Sequence, residues 1–133
     1  MSNIQEITAE LIALESAALE RWGNGDPAGF LEICASDVVY FDPYQEKRID
    51  GLDALTQYYK GLWGMVDFDR FELLNPLVQV GGDLAVLTFN FVSFAGDNES
   101  RWNCTEVYRF DDSRWQIIQT HWSYTRHPGI VGD

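Results

Sequence analysis

Apolar residues recur every three or four positions at the start of the chain and every second position toward its end. Ile7, Leu11, Leu14, Ala18 and Trp22 follow at intervals of four, three, four and four, which places them on one helical face. The spacing predicts a helix over NIQEITAELIALESAALERWGNG, with Asn3 and Glu6 capping its start and Gly23 or Gly25 ending it. Its acidic residues are expected on a solvated face. Asp26 as N-cap with Pro27 at the first helical position opens a short second helix, DPAGFLEICA. DVVYFDP then reads as a strand and KRI as its short return strand. A third helix from Asp50 carries Leu52, Leu55, Tyr59 and Leu62 on one face, with Trp63 beside it.

From Phe68 onward the pattern is β. Strands are predicted near 68–80, 84–95, 100–111 and 114–124, with Gly81-Gly82-Asp83, Gly96-Asp97-Asn98 and Asp111-Asp112-Ser113 as the turns. Helices first and a meander after is an α+β order, a sheet with helices on one face. No linker or repeat interrupts it, so residues 1–133 read as one domain.

Three of these strands carry more than topology. In WNCTEVYRF, Trp102, Cys104, Glu106, Tyr108 and Phe110 share one face, and the opposite face is mostly polar. Glu106 therefore stands in an inward set, where a lone charge would cost several kcal/mol. It is either a structural acid bonded to a neighbour or the lining of a cavity. LAVLTFNFVSF is apolar on both faces. The helices can cover one; a second copy of the protein is expected to cover the other, which carries Val86, Thr88, Asn90 and Val92, with Thr105 of the adjoining strand. In WQIIQTHWSY the alternation is undecided, and either set can face inward.

Composition sharpens this picture. Aromatics make up 14% of the chain, enough to wall an apolar pocket. A formal net charge of −12 argues against nucleic acid or an anionic membrane as partner. No signal-peptide pattern or membrane-length apolar run occurs. Cys34 and Cys104, read on a helix and a strand, suit two reduced thiols in a cytoplasmic protein. His121 and His127 are too few and too separated for a metal site, and no phosphate loop, nucleophile elbow or CxxC pair is present, so neither metal nor cofactor is expected. VVYFDP ends a β-prone run with an acid and a proline, which suits a turn. An acid at the mouth of a buried strand also suits a catalytic base.

The stretches ALERWGNGDPAGFLEICASDVVYFDP, IDGLDALTQYYKGLW and TEVYRFDDSRWQIIQTHWS, in this order, resemble the nuclear transport factor 2-like superfamily, and within it the SnoaL-like and ketosteroid-isomerase-like proteins. The resemblance spans roughly residues 8 to 125. It implies a cystatin-like cone: a curved antiparallel sheet wrapped over three N-terminal helices, with an internal cavity and a homodimer through the convex face. It also implies roles. Asp42-Pro43 matches the catalytic Asp of ketosteroid isomerases, Glu106 a pocket carboxylic acid, and Tyr59 a pocket tyrosine. Ala18 stands where those enzymes have an oxyanion-donating tyrosine. Phe91, Glu106 and Trp122 stand where the related kinase association domain has arginines, which argues against an anionic ligand and turns Trp122 rather than His121 inward.

The expectation is then a cavity for a small neutral hydrophobic molecule. Asp42 is the candidate base, Glu106 the hydrogen-bond donor and Tyr59 its assistant, as in a cofactor-free isomerase, cyclase or dehydratase. Trp63, Phe89, Phe91, Trp102, Cys104, Tyr108 and Trp122 are the candidate lining. A non-catalytic binding protein and a dimerisation or association module are the competing readings.

Overall fold

The computed structural model describes residues 3–125; His127, expected in a tail, lies outside them. Two helices, α1 (Ile4–Gly23) and α2 (Ala28–Ile33), come first, then the strands β1 (Cys34–Phe41) and β2 (Ile49–Asp50), then a third helix α3 (Leu52–Lys60). The meander β3 (Arg70–Gly81), β4 (Leu84–Ala95), β5 (Asn98–Asp111) and β6 (Arg114–Tyr124) follows. All six strands form one sheet in the order β2-β1-β6-β5-β4-β3.

The helix ends follow local rules. The Asn3 side chain accepts a 2.8 Å hydrogen bond from the Glu6 N–H, as the expected cap requires. After α1 the chain turns through Gly25 at φ +82°, and a Cβ there would lie 3.1 Å from the Gly64 backbone. The Gly64 N–H donates to the Gly25 carbonyl (2.9 Å), which pins the loop after α3 to the end of α1. α2 begins one residue later than predicted, with Pro27 rather than Asp26 at the N-cap position, and Asp26 Oδ1 accepts from the Ala28 N–H at 3.0 Å.

Two expectations about the sheet need correction. It is not wholly antiparallel, because β1 runs parallel to β6 while every other neighbouring pair is antiparallel. Cys34 also begins β1, opposite Ile117, rather than ending a helix. The register shifts between Cys34 and Val39, between Leu74 and Leu77, and between Val107 and Tyr108 of β5 against β6. Asn75, at φ 53°, and Pro76 occupy the second break, where a residue without an N–H interrupts the ladder. Such irregularities bend strands, and this sheet is curved over its helices.

The third shift settles the ambiguous strand. Before it, Trp115 and Ile117 are buried; after it, Thr120 is buried and pairs with Glu106, while His121 is exposed and pairs with Thr105. An extra residue in β6 reverses the phase of alternation, so each of the two possible inward sets is used over half the strand. Near the same end of β5, Phe110 is 44% exposed rather than inward and meets Trp115 edge-on.

The core joins helices to the inner sheet face: Leu11, Leu19, Val38, Leu55, Leu87, Tyr108 and Ile117 are at most 1% exposed. Each such aliphatic side chain contributes on the order of 1.5–3 kcal/mol by burial. The α1 face differs from the sequence pattern, because Leu14 and Trp22 are only half-buried and the fully buried Glu15 occupies its centre. The acidic residues of α1 are therefore not all solvated. Val92, expected on a dimer face, is 1% exposed within a single chain, between its register partners Glu72 and Arg101. Among the described residues no helix is long and apolar enough to cross a membrane.

Candidate functional site

A cavity of about 220 Å³ opens between the helices and the inner sheet face, lined from α1 by Leu19 and Trp22 and from α3 by Tyr58 and Tyr59. Phe91, Trp102 and Trp122 line it from the sheet, and Leu62, Val66 and Phe68 from the segment between α3 and β3. Phe68 reaches its place because residue 23 is glycine: a Cβ there would lie 2.2 Å from the ring. At the mouth, Trp102 stacks on Tyr124 with centroids 4.2 Å apart, and the Tyr124 and Tyr44 hydroxyls are hydrogen-bonded.

Asp42, 9% exposed, is the one acid on this wall among the described residues. Its Oδ1 accepts from the Tyr44 N–H at 2.8 Å, which closes the turn that Asp-Pro predicts. Its Oδ2 accepts from two phenols, Tyr40 Oη at 2.8 Å and Tyr58 Oη at 2.6 Å. Tyr40 shares the face of Asp42 because it stands two residues earlier in the strand. Burial, with the nearby Asp42 carboxylate, pushes the Tyr58 phenol above its ordinary range. The Tyr40 phenol, deeper, is raised further, chiefly by burial. Both are therefore donors at neutral pH.

The predicted site residues divide between this wall and a second, sealed cluster. Asp42, Tyr59, Phe91, Trp102 and Trp122 line the cavity. Phe89 lies behind it, its ring 5.9 Å edge-on from Trp122. Trp63 does not line it; the side chain is 55% exposed, while Leu62 before it and Val66 after it point inward. Cys104, Glu106 and Tyr108 are also off the wall, at 3%, 0% and 0% exposure. Their strand does face inward there, but α1 closes over it: Tyr108 Oη donates to Glu15 Oε1 at 2.8 Å. Glu106 therefore does not face Asp42 across a ligand.

In that cluster the Cys104 thiol donates to Glu106 Oε1 at 3.3 Å, and one oxygen of each acid, Glu15 Oε2 and Glu106 Oε2, is buried without a hydrogen-bond partner. Burial pushes the Glu15 carboxyl up to about 8. Glu106 is raised well above the carboxylate range, first by burial and then by Glu15. The Cys104 thiol is likewise raised, chiefly by burial. Ligand atoms of Glu15, Cys104 and Glu106 lie within 4.8 Å of one another, a spacing a metal ion could use. Each would first have to lose a proton that this environment holds.

The lining residues that sequence reasoning missed include Tyr40, Tyr44, Tyr58 and Trp22. The signal for Tyr40 was the two-residue step to Asp42. For Tyr58 it was adjacency to Tyr59, whose own ring, 3% exposed, packs edge-on against Trp22 and Tyr40.

The chain has relatives in sequence and in fold. The sequence profile of the SnoaL-like domain matches residues 16–118. The chain belongs to the SnoaL-like domain family. Among solved structures, this SnoaL-like protein is similar to a provisionally assigned ketosteroid isomerase from Parabacteroides distasonis, at 46% identity over 95% of this chain and 91% of that one, with a TM-score of 0.81. An NTF2-like protein of unknown function from Pseudomonas putida follows at 27% identity, 92% and 89% coverage and a TM-score of 0.80. The association domain of C. elegans CaMKII shares the fold at 17% identity, 90% and 96% coverage and a TM-score of 0.75. None of the curated proteins matches the chain. The nuclear transport factor 2-like superfamily and its α+β cystatin-like fold are thus established for this sequence.

Proposed function

We propose that this SnoaL-like protein takes up a small, largely apolar, ring-bearing molecule in the aromatic cavity, with Asp42 as the polar anchor that accepts a proton-bearing group from it. The observation that carries this reading is the Asp42 carboxylate at the wall of a cavity built mostly from aromatic rings. Apolar walls with a few converging polar groups are the usual make-up of a ligand site. Among the described residues no Lys or Arg lines the cavity, so anionic ligands should be rejected. A thermal-shift panel tests this, because a ligand that binds the native state raises the melting temperature. Stabilisation by phosphates or carboxylates but not by apolar ring compounds would overturn it.

A second reading, cofactor-free proton transfer, is favoured by the Asp42-Pro43 pair and by the relative described as a ketosteroid isomerase. Asp42 would remove a proton next to a ligand carbonyl. The Tyr58 hydroxyl, relieved of a charged acceptor as Asp42 gains that proton, would turn to the developing enolate oxygen. Tyr58 replaces Glu106 as the donor, since Glu106 is off the wall. Hydrogen–deuterium exchange at the α-carbon of a bound ketone, lost in Asp42→Asn, would support catalysis; equal exchange in both proteins would remove it.

We also propose a homodimer through the outer sheet face. Leu77, 55% exposed, pairs with the half-buried Thr88, and Leu84 is 40% exposed on the adjoining strand. Leu77→Glu should shift the mass from dimer to monomer in light scattering. Wild-type protein that is monomeric at micromolar concentration would overturn this proposal.

A further inference from the structure

Asp42 is a nearly buried carboxylate without a cationic partner. Among the described residues, none of the ion pairs includes it. Arginines 21, 48, 70, 101 and 109 are matched to other acids, at Asp26 and Glu32, Asp50, Glu72, Glu99 and Asp37. Its three hydrogen bonds come from two phenols and one amide, all uncharged donors. A buried charge is ordinarily paired. The partner missing here has room to arrive from the cavity.

The acceptor geometry leaves a place for it. A carboxylate offers about four lone-pair positions. Two on Oδ2 are taken by Tyr40 and Tyr58 and one on Oδ1 by the Tyr44 amide, so about one remains on Oδ1. The walls favour the same sign. Trp22, Tyr58, Trp102 and Trp122 bring aromatic rings to the cavity, and the faces of such rings attract cations. A chain of net charge −12 also draws cations toward its openings.

We propose that the ligand of this cavity carries a positive charge: an organic ammonium group on an apolar ring skeleton, its N–H on the open position of Asp42 and its charge against the surrounding rings. This rests on the reading of the cavity as a small-molecule site and narrows the ligand from any apolar ring compound to a cationic one. The ring skeleton fills the apolar part of the cavity; the ammonium supplies the counter-ion that the fold omits.

The test is isothermal titration with three probes of one skeleton: 2-naphthylmethylammonium, 2-naphthylmethanol and 2-naphthoate. The expected order is cation first, at least ten-fold tighter than the alcohol, with the carboxylate weakest. Asp42→Asn should erase the cation's advantage while the alcohol's affinity stays within about three-fold, because the amide keeps an oxygen for the Tyr44 turn. Should that variant fold poorly by near-ultraviolet circular dichroism, Asp42→Ser, which also keeps a side-chain oxygen, serves instead. An alcohol that binds wild-type protein as tightly as the cation would overturn this inference and leave the small-molecule reading standing. So would a cation preference that survives loss of the carboxylate, which would trace it to the general negative surface. Failure of all three probes would overturn both.

Discussion

Asp42 and the Glu15–Glu106 pair are buried carboxyls on the inner side of the same fold, and they are kept in opposite ways. Around Asp42 donors are abundant: two phenols and an amide converge on two oxygens, and the cavity beside it admits a ligand. Around the glutamates donors are short. One phenol and one thiol serve four oxygens, two of which are left unpartnered. Among the described residues neither region matches its acids with Lys or Arg. The difference teaches that donor supply and access to solvent, more than residue type, decide whether a buried acid serves as an anchor or stays protonated in the core.

The widest separation between the two regions should appear on titration. Glu15 is raised from the ordinary glutamate value of 4.5 to about 8 by burial. Between those limits the folded chain holds a proton that the unfolded chain has released, so rising pH favours unfolding. Glu15 by itself should lower stability by up to about 1.4 kcal/mol per pH unit across that window, several kcal/mol in all, and the raised Glu106 adds to the same slope. The acids paired with surface arginines, Asp26, Glu32, Asp37 and Asp50, are lowered and titrate below that window. Urea denaturation at pH 5, 6, 7 and 8 should show the slope in wild-type protein and a shallower one in Glu15→Gln. A slope unchanged by that substitution would sever the effect from the pair.

Truncation comes next in size. Glu106→Ala should cost about 3 kcal/mol at pH 6, because it opens a hole and leaves the buried Cys104 thiol without its acceptor. Refilling the hole and removing the stranded donor together, as Glu106→Leu with Cys104→Ala, should recover most of that loss, since the thiol that Glu106 accepted from is then gone as well. A double variant no more stable than the single one would mean that the pair is held by contacts other than its own hydrogen bonds.

At the cavity the effects are smaller on stability and fall on binding. Asp42→Asn should lower the melting temperature little and weaken the cationic ligand by about ten- to a hundred-fold, the scale of one hydrogen bond to a charged group. A large drop in melting temperature would instead assign the three hydrogen bonds of Asp42 to folding. Smallest of all, Tyr58→Phe removes one of three donors to Asp42 and should cost about 1 kcal/mol or less in stability. Its mark should be weaker ligand binding measured by calorimetry.

How much of this is legible in the sequence follows the range of the interactions. Period and capping located the helices and the meander, because spacing and Asn, Pro and Gly chemistry act within a few residues. The short range of those signals also explains the misplaced Cys34: nothing local distinguishes the end of α2 from the start of β1, which its pairing to Ile117 decides. The inward side of Trp102, Cys104, Glu106 and Tyr108 was readable from alternation. Whether that side faces a cavity or the underside of α1 was not readable, since it depends on where a distant helix ends its cover. Glu15 looked solvated because a lone acid on a helix usually is. Only the approach of Tyr108, 93 residues away in sequence, places it at the centre of the core.

For Asp42 the division is the same within one side chain. That it closes a turn is local chemistry, a carboxylate accepting from the amide two residues on, and Asp-Pro announces it. That two phenols grip its other oxygen is decided by α3 crossing above β1, which brings Tyr58 from 16 positions away to within 2.6 Å. Alternation sets the side of a strand on which a residue lies, because it is a property of the backbone. What stands opposite that side is a property of packing, and here packing decides which acid meets a cavity and which is sealed beneath a helix.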